Sequence, residues 1–236
     1  MFYFQEKTLS LPFKTKNIKA TVEKTLRNSH IPEPSLRRLP WYLAFAKLLQ
    51  GKGDEYVSST QIARALSVDA SMVAKDLSYV EISGKTRVGY EVNDMVNVLD
   101  AFLGFTNTHK AFLFGVGSLG GALLHDSGLA QFGLNIVAGF DAKYELAGTS
   151  INRTPIHHID RFLELQDNMK VDIGVLTVPV DKAQEVSDLM VKGGIKAIWN
   201  FTQFRIKVPE TIVVQNTSIY AQLAVMYNRL AELRNQ

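Results

Sequence analysis

The C-terminal two thirds of the chain alternates short apolar runs with glycine-rich or amphipathic segments. Apolar runs at residues 111–114 and 135–140 are typical of strands buried on both faces, and a glycine turn and a helix-compatible segment separate them. Further strands are predicted at 171–179, 195–201 and 211–214, and helices at 181–192 and 218–234. This alternation predicts an α/β domain of the Rossmann type, with a doubly wound, mostly parallel sheet.

The N-terminal part follows a helical period instead. Apolar residues from Leu36 to Leu49 predict one helix, which Gly51-Lys52-Gly53 ends. Shorter helices are predicted after Ser58-Ser59-Thr60 and from Asp69 to Tyr79, joined by a brief turn, and this arrangement is a helix-turn-helix. Residues 83–90, with two cations between two glycines, suit the tip of a β-hairpin wing.

These patterns divide the chain into four segments. Residues 1–30 form an extension that we expect to be mobile and to carry no chemistry. Residues 31–107 form a winged-helix domain whose last helix is predicted at 93–108. Residues 108–216 form the Rossmann domain, and 217–236 a C-terminal helix.

Composition narrows the class of protein. Hydrophobic residues make up 46% of the 236, enough for a proper core, yet no apolar run approaches the ~18 residues of a membrane span. The absence of cysteine excludes disulfides and thiolate metal sites. With no secretory pattern at the N-terminus, cytoplasmic placement is the default.

Charge is unevenly distributed along the chain. Residues 1–90 hold 14 basic and 8 acidic side chains, a net charge of +6, whereas residues 91–236 hold 12 and 15, a net charge of −3. The asymmetry indicates that the N-terminal part meets a polyanion. A solubilising tail is the alternative, since residues 1–30 alone contribute +4.

The glycine turn after the first buried strand has the residues that a dinucleotide needs. Gly115 allows a tight turn, Gly117 lets the backbone approach a pyrophosphate, and Gly120 lets the helix pack close to the strand. The helix start offers N–H groups to the phosphates. Asp141, at the tip of the next strand, is placed to accept hydrogen bonds from ribose hydroxyls and to repel a 2′-phosphate, which favours NAD(H) over NADP(H). The alternative is a similar core with an empty or altered pocket.

The helix-turn-helix predicts a DNA-binding surface, because the second helix of such modules enters the major groove. Early exposed side chains of that helix would be Ser71, Met72, Ala74 and Lys75, and Lys75 is placed to reach a phosphate or a guanine edge. Lys85 and Arg87 of the wing are placed to reach the backbone or the minor groove. The alternative is a small helical docking domain with a solvated charged face.

The sequence contains few residues that suggest a metal site or a catalytic site. His157 and His158 point in opposite directions on a strand with no third ligand nearby, so no metal site is expected. A dehydrogenase would need a proton donor or acceptor near the substrate, and no Tyr-x-x-x-Lys pair is present. We therefore expect a protein that is not an enzyme.

The chain resembles the Rex family of redox-sensing repressors over residues 31–235. The motifs that carry the resemblance are Ile31-Pro32-Glu33-Pro34 with Arg37-Arg38-Leu39, Lys75-Asp76-Leu77-Ser78-Tyr79, Gly89-Tyr90, Gly115 to Gly120, Phe140-Asp141, Leu176-Thr177-Val178-Pro179, and Gly194-Ile195-Lys196 with Asn200-Phe201. The resemblance implies a homodimer with exchanged C-terminal helices, each packing between the partner's two domains. It also implies one site for which NADH and NAD⁺ compete, and a DNA operator that is released when NADH binds.

Pattern and resemblance together give two sets of site residues. The predicted nucleotide contacts are Gly115, Val116, Gly117, Ser118, Leu119, Gly120, Asp141, Ala142, Thr177, Val178, Pro179, Asn200, Phe201 and Ser218. The predicted DNA contacts are Ser59, Ser71, Met72, Lys75, Tyr79, Lys85, Arg87 and Tyr90.

The chain departs from the family pattern in two regions. Asp126 stands where family members often carry a tyrosine, in the helix after the glycine turn. Ser218-Ile219 stands where many members have an Asp-Phe pair, at the start of the exchanged helix. Both changes bear on the NADH switch. Ala74 replaces a commonly basic residue, and Val80-Glu81-Ile82 replaces a phenylalanine-glycine sequence, and both bear on operator preference.

Overall fold

The computed structural model describes residues 31–234. The extension predicted at residues 1–30 lies outside the described residues. The chain divides after Asn107 into two compact units, which are described separately below.

The N-terminal unit contains four helices and a small two-stranded sheet among its described residues. In chain order these are α1 (Glu33–Lys52), β1 (Tyr56–Val57), α2 (Ser59–Leu66), α3 (Ala70–Tyr79), β2 (Tyr90–Glu91) and α4 (Val92–Phe102). Strands β1 and β2 pair antiparallel, and α2 and α3 form the predicted helix-turn-helix.

Local signals explain most of the helix ends in this unit. α1 begins at a proline-rich turn and ends where Gly53 adopts a left-handed φ of 83°, and Pro40 lies inside the helix without ending it. Ser58 and Gln61 form a capping box at the start of α2. Asp69 occupies the N-cap position of α3, but its side chain makes no capping hydrogen bond.

One expectation for this unit needs correction. The helix predicted at 93–108 ends at Phe102, and Gly104 follows with a left-handed φ of 76°.

The predicted tip of the wing is a tight turn. Lys85 and Gly89 form an isolated antiparallel bridge around it, and Arg87 within the turn has a φ of 64°. The two-residue strand β2 that follows pairs with β1.

A buried ionic cluster joins α1 to α3. The Asp76 carboxylate, 1% exposed, accepts hydrogen bonds from Arg38 Nε at 2.6 Å, from Arg38 Nη2 at 2.9 Å and from the Tyr42 hydroxyl at 2.7 Å. Burial alone would raise the pKa of Asp76, but the hydrogen bonds from Arg38, Tyr42 and Ser35 outweigh it and hold the pKa below its ordinary value. Burial and the bond to Asp76 raise the pKa of Tyr42 to about 12.

The C-terminal unit contains seven strands and five α-helices within the residues described. In chain order they are β3 (His109–Phe114), α5 (Ser118–His125), α6 (Gly128–Gln131), β4 (Leu134–Asp141), β5 (Ser150–Ile151), β6 (Thr154–His158), α7 (Phe162–Met169), β7 (Ile173–Leu176), α8 (Ala183–Lys192), β8 (Ala197–Asn200), β9 (Val213–Asn216) and α9 (Ile219–Arg234). Short 3₁₀ turns cover Tyr144–Leu146, Ile159–Arg161 and Val180–Lys182.

The sheet order is β5-β6-β4-β3-β7-β8-β9, and every pairing except β5 with β6 is parallel. The chain moves outward from β3 to β4 and β6, and then returns to the other side of β3 with β7, β8 and β9. This is the strand order of a doubly wound dinucleotide-binding sheet, with β5 added at one edge. The predicted fold class is therefore confirmed.

Aromatic side chains fill one face of this sheet. Phe112 and Phe114 of β3, Phe140 of β4 and Phe162 of α7 are fully buried, with ring centroids 5.0–6.1 Å apart. Four of these five ring contacts are edge-to-face, which is an arrangement that aromatic pairs prefer. The cluster fixes α7 on the sheet beside the end of β4.

The last helix differs from the others in its exposure. α9 has no buried residue, and large apolar side chains on it are 44–68% exposed, namely Ile219, Tyr220, Val225, Met226, Tyr227, Leu230 and Leu233. This surface is too apolar to be a solvated face.

Within residues 31–234, no helix combines the length and the apolar character that crossing a bilayer requires.

The ionic cluster gives a prediction about the N-terminal unit. Replacing Asp76 with Asn leaves Arg38 without its counter-charge, and we expect the free energy of unfolding to fall by about 3 kcal/mol at pH 7. Because the folded-state pKa of Asp76 is depressed, its contribution is present above the unfolded value of about 3.9 and is lost as the pH falls below it. The difference in free energy of unfolding between the wild type and Asp76→Asn should therefore become smaller at acid pH.

The measurement is denaturant unfolding followed by Trp41 emission in a Trp199→Phe background, because Trp41 lies on α1 and precedes Tyr42 of the cluster in the sequence. Arg37→Ala is the matched control, since Arg37 pairs with Glu33 at an exposed site and should cost well under about 1 kcal/mol. Equal losses for the two variants would contradict a special role for the Asp76 cluster.

Candidate nucleotide site and nucleic-acid interface

The glycine turn lies where the sheet changes direction. β3 is the strand from which the sheet extends both ways, with β4 on one side and β7 on the other. Gly115 leaves β3 with a left-handed φ of 96°, and its N–H donates to the Phe140 carbonyl at 2.8 Å. The first turn of α5 follows at Ser118, so its unpaired N–H groups lie at this switch point.

Close backbone contacts explain why this turn contains glycine. A Cβ atom on Gly120 would overlap the Gly115 carbonyl oxygen and come within 3.0 Å of Thr177 Oγ1. A Cβ on Gly115 would lie 2.8 Å from the backbone of Thr177 and Val178. Gly117 differs, because a Cβ there would point into open space. Two of the three glycines are thus required by packing, and Gly117 leaves the backbone open to a ligand.

Asp141 is bound to the glycine turn from the neighbouring strand. Its Oδ2 accepts a hydrogen bond from the Val116 N–H at 2.7 Å, and its Oδ1 accepts one from the Lys143 N–H at 2.9 Å. These two bonds fix the carboxylate at the carboxyl end of β4. Each oxygen keeps a lone pair for a further donor, such as a ribose hydroxyl.

A cavity of about 570 Å³ opens beside Asp141, between the ends of β4 and β7. Its walls are mostly apolar, with charged groups at the rim: Phe114, Gly115, Phe140, Asp141, Ala142, Ile159, Asp160, Leu163, Val178, Pro179, Lys182, Glu185, Val186 and Leu189. An apolar slot next to a carboxylate that can still accept hydrogen bonds suits a flat base such as adenine.

The cavity brings together part of the predicted nucleotide set and adds residues that were missed. Gly115, Asp141, Ala142, Val178 and Pro179 line it. Side chains from α7 and α8 were missed, since nothing in their local sequence distinguishes them from ordinary core residues. The 3₁₀ turn that carries Ile159 directly follows β6, and three residues separate the turn that carries Lys182 from the end of β7, so the position after a strand end was the available signal.

The ends of β7 and β8 use their polar side chains internally. Thr177 Oγ1 lies 2.7 Å from the Gly115 carbonyl oxygen and 3.0 Å from that of Phe114, so it supports the glycine turn. Asn200 is fully buried, and its amide group bonds to the Phe204 carbonyl, to Asn216 and to Thr202. Asn200 therefore has no amide hydrogen left for a ligand.

Two other predicted contacts lie near this end of the sheet. Phe201 is half-buried, and its ring packs against Trp199 at 4.5 Å between centroids. Ser218 is half-buried, and its Oγ accepts a hydrogen bond from the Ala221 N–H at 3.1 Å, so it supports the start of α9.

Helix α3 presents its predicted DNA-binding residues to solvent. Ser71, Met72, Ala74 and Lys75 are exposed, and Tyr79 is half-buried. Ser59, in the first turn of α2, is also half-buried. The neighbouring Asp76 is buried in the ionic cluster, which fixes the helix so that its outer face remains available to a partner.

The wing carries its cations in two different settings. Lys85 Nζ lies 3.0 Å from the Tyr56 hydroxyl and 3.9 Å from the Glu91 carboxylate, and the bond to Tyr56 raises the pKa of Lys85. Arg87 is exposed at the tip of the turn. Tyr90 is 8% exposed and belongs to the core of the unit, so little of its side chain is accessible to DNA.

The paired histidines have separate surroundings. His157 lies beside the Phe140 ring, and burial followed by the nearby Arg161 charge lowers its pKa. His158 stacks on Tyr144 at 3.9 Å. Across the described part of the chain, no group of three or more potential metal ligands comes together.

Comparison with known proteins matches both units. A family model described as "Putative DNA-binding protein N-terminus" matches residues 30–78, and one described as "CoA binding domain" matches residues 106–204. The "Redox-sensing transcriptional repressor Rex" of Bacteroides fragilis is 65% identical over 203 residues, covering 86% of this chain and 92% of the relative. The protein of the same name from Porphyromonas gingivalis is 62% identical over 211 residues, covering 89% and 97%.

Solved structures agree with these sequence matches. The structure described as "Crystal structure of RSP in complex with beta-NAD+ and operator DNA" has a TM-score of 0.82 and 29% identity, covering 88% of this chain and 95% of that one. A second structure, of RSP in complex with beta-NADH, has a TM-score of 0.79 and 29% identity, covering 88% and 97%.

The close contacts of the glycine turn predict different outcomes for two neighbouring glycines. Gly120→Ala places a methyl group against the Gly115 carbonyl, and we expect the C-terminal unit to lose about 2 kcal/mol of unfolding free energy or more. Gly121→Ala is the matched control, because no atom lies within 4 Å of its Cβ position and alanine favours the helix by up to about 1 kcal/mol. Denaturant unfolding followed by Trp199 emission in a Trp41→Phe background measures both. A Gly120→Ala protein as stable as Gly121→Ala would show that the turn tolerates a side chain.

Proposed function

This chain belongs to the Rex family of redox-sensing transcriptional repressors, and from that membership we propose that it binds NADH and NAD⁺ at the glycine turn and releases operator DNA when NADH binds. The observation that carries the nucleotide part is the bond between Asp141 and the Val116 N–H, which joins a ribose-binding carboxylate to a phosphate-binding turn. The family is one of regulators rather than enzymes.

The nucleotide would span the switch point of the sheet. The adenine would enter the apolar cavity, its ribose would bond to Asp141, and the pyrophosphate would face the backbone of Gly117 and the start of α5. The nicotinamide would then lie on the other half of the sheet, towards the ends of β7 and β8. Val178 and Pro179 line the cavity that would take the adenine, and Thr177 supports the glycine turn beside it.

The switch requires that NADH binds the DNA-released form of the protein more tightly than the DNA-binding form, and that NAD⁺ does not. The two nucleotides differ in charge and shape only at the nicotinamide ring, so the selective contacts lie at that end. Asn200 has its amide group occupied, which leaves the half-buried ring of Phe201 as the better candidate there. Asp126, Ser218 and Ile219 are the places where this chain could differ from its relatives in selectivity.

The DNA partner would meet the outer face of α3. Lys75 supplies a cation on that face, Ser71 and Tyr79 supply hydroxyl groups, and Arg87 lies exposed on the wing. A duplex is bound by two such helices one helical turn apart when the protein is a dimer. Since operator DNA and free NADH would both be met there, we propose that the protein acts in the cytoplasm.

We propose that α9 forms the dimer contact. Its large apolar side chains, 44–68% exposed, would be covered by a second copy of the chain. The proposed response to NADH is a closure of that dimer that moves its two α3 helices out of register with the operator. NAD⁺ would permit binding at the same site.

The central test is a DNA-binding titration with each nucleotide. The probe is a fluorescein-labelled duplex selected from a randomised library by its binding to this protein in the presence of NAD⁺. We expect NADH to release the duplex, NAD⁺ to retain it, and NADPH to act only at much higher concentration because Asp141 repels its 2′-phosphate. DNA affinity that does not change across saturating NADH would contradict redox sensing.

A second prediction concerns Lys75. Lys75→Ala removes a cation from the outer face of α3, and we expect weaker DNA binding and a salt dependence whose slope falls by about one. Lys192→Ala, at an exposed site on α8, is the matched control and should leave the slope unchanged. Identical slopes for Lys75→Ala and the wild type would remove Lys75 from the proposed phosphate contacts.

A further inference from the structure

The segment that leads into α9 is hydrogen-bonded to the end of β8 at consecutive residues. The Asn216 side chain accepts a bond from Asn200 Nδ2 at 2.8 Å, and the Thr217 N–H donates to the Asn200 carbonyl at 2.8 Å. The Thr217 hydroxyl accepts a bond from Trp199 Nε1 at 2.9 Å. Ser218 then supports the first turn of α9. The start of the helix is thus part of the same edge as the strand tip.

That strand tip belongs to the half of the sheet on which the nicotinamide would lie. The Trp199 ring contacts the Phe201 ring at 4.5 Å, and the Phe201 N–H donates to the Leu176 carbonyl at 2.9 Å, next to Thr177. A shift of Phe201 would therefore move the indole of Trp199. Since that indole is bonded to Thr217, the shift would reach the start of α9.

The bonds at this edge differ in how easily they can break. Asn200 is fully buried, so losing its partners would leave polar groups unsatisfied in the core at a high cost. Trp199 and Thr217 are half-buried, and water can replace the bond between them when it opens. The Asn200 bonds are therefore suited to hold the start of α9 on β8 at all times. The Trp199–Thr217 bond is suited to alternate between a formed and a broken state.

We propose that Trp199 and Thr217 are positioning residues that transmit the state of the nucleotide site to helix α9, through a hydrogen bond whose making and breaking differs between the NADH and NAD⁺ forms. The inference rests on the proposed function and deepens it, since it names the contact through which that site would act on the dimer helix. Neither residue touches the nucleotide or the DNA in this scheme. The bond changes the coupling between the two ligands and leaves the affinity for each alone nearly unchanged.

The test compares two substitutions of Thr217 in the full-length protein. Thr217→Val keeps the shape of the side chain but removes the hydroxyl, whereas Thr217→Ser keeps the hydroxyl. The measured quantity is the ratio of the dissociation constants for the selected duplex at saturating NADH and at saturating NAD⁺. We expect Thr217→Val to reduce this ratio by about fivefold, the factor that one net hydrogen bond supplies. Thr217→Ser should retain it within about twofold.

Two further measurements separate transmission from a merely structural role. The affinity for NADH without DNA, measured by calorimetry, should stay within about twofold of wild type in both variants. Trp199→Phe should reduce the ratio as Thr217→Val does, and the double substitution should lower it no further, because both changes remove the same bond.

The outcomes distinguish this inference from the proposed function. A wild-type ratio of one would overturn the proposed function and the transmitting contact with it. A wild-type ratio well above one that Thr217→Val retains would overturn the transmitting contact alone. So would a Thr217→Val protein whose NADH affinity falls as much as its ratio, because the bond would then support the site itself.

Discussion

The close approach of Gly120 to the Gly115 carbonyl is the constraint on which the C-terminal unit depends. No Cβ atom fits between them, and Thr177 bonds to the same carbonyl from the neighbouring strand. The contact brings the first turn of α5 against the end of β3, so that the N–H groups of the helix face the switch point of the sheet. Asp141 is then bonded to the turn itself through the Val116 N–H. The proposed phosphate and ribose sites are thereby joined by one hydrogen bond between the Asp141 carboxylate and the main chain of the turn.

The N-terminal unit positions its functional helix by charge instead. Asp76 lies on the inner face of α3, and its bonds to Arg38 and Tyr42 fix the orientation of the helix relative to α1. Lys75, the adjacent residue, therefore lies on the outer face. Separating the buried Asp76 from Arg38 would leave an uncompensated charge, so the cluster resists a change in the orientation of α3. Lys75, which would contact DNA, is adjacent to the buried Asp76. Asp141, which would contact the ribose, is itself hydrogen-bonded to two main-chain N–H groups.

The parts of the structure that local rules determine could be predicted from the sequence. The glycine turn, Asp141 at the next strand tip and the Ser58 cap all follow from short-range patterns, and the structure has each of them. Long-range partners could not be predicted. Asn200 has the position of a ligand contact at a strand tip, yet Phe204, Asn216 and Thr202 occupy its amide group. Helix α7 was missed because it has only eight residues, and its place depends on Phe162 entering an aromatic cluster built by other strands.

The central claim is that nucleotide and DNA bind to two sites coupled by a free energy, and such coupling is reciprocal. Calorimetric titration of NADH into the protein, alone and saturated with the selected duplex, measures this most directly. The account predicts that DNA weakens NADH binding by the same factor by which NADH weakens DNA binding. An NADH affinity that is the same with and without DNA would contradict it.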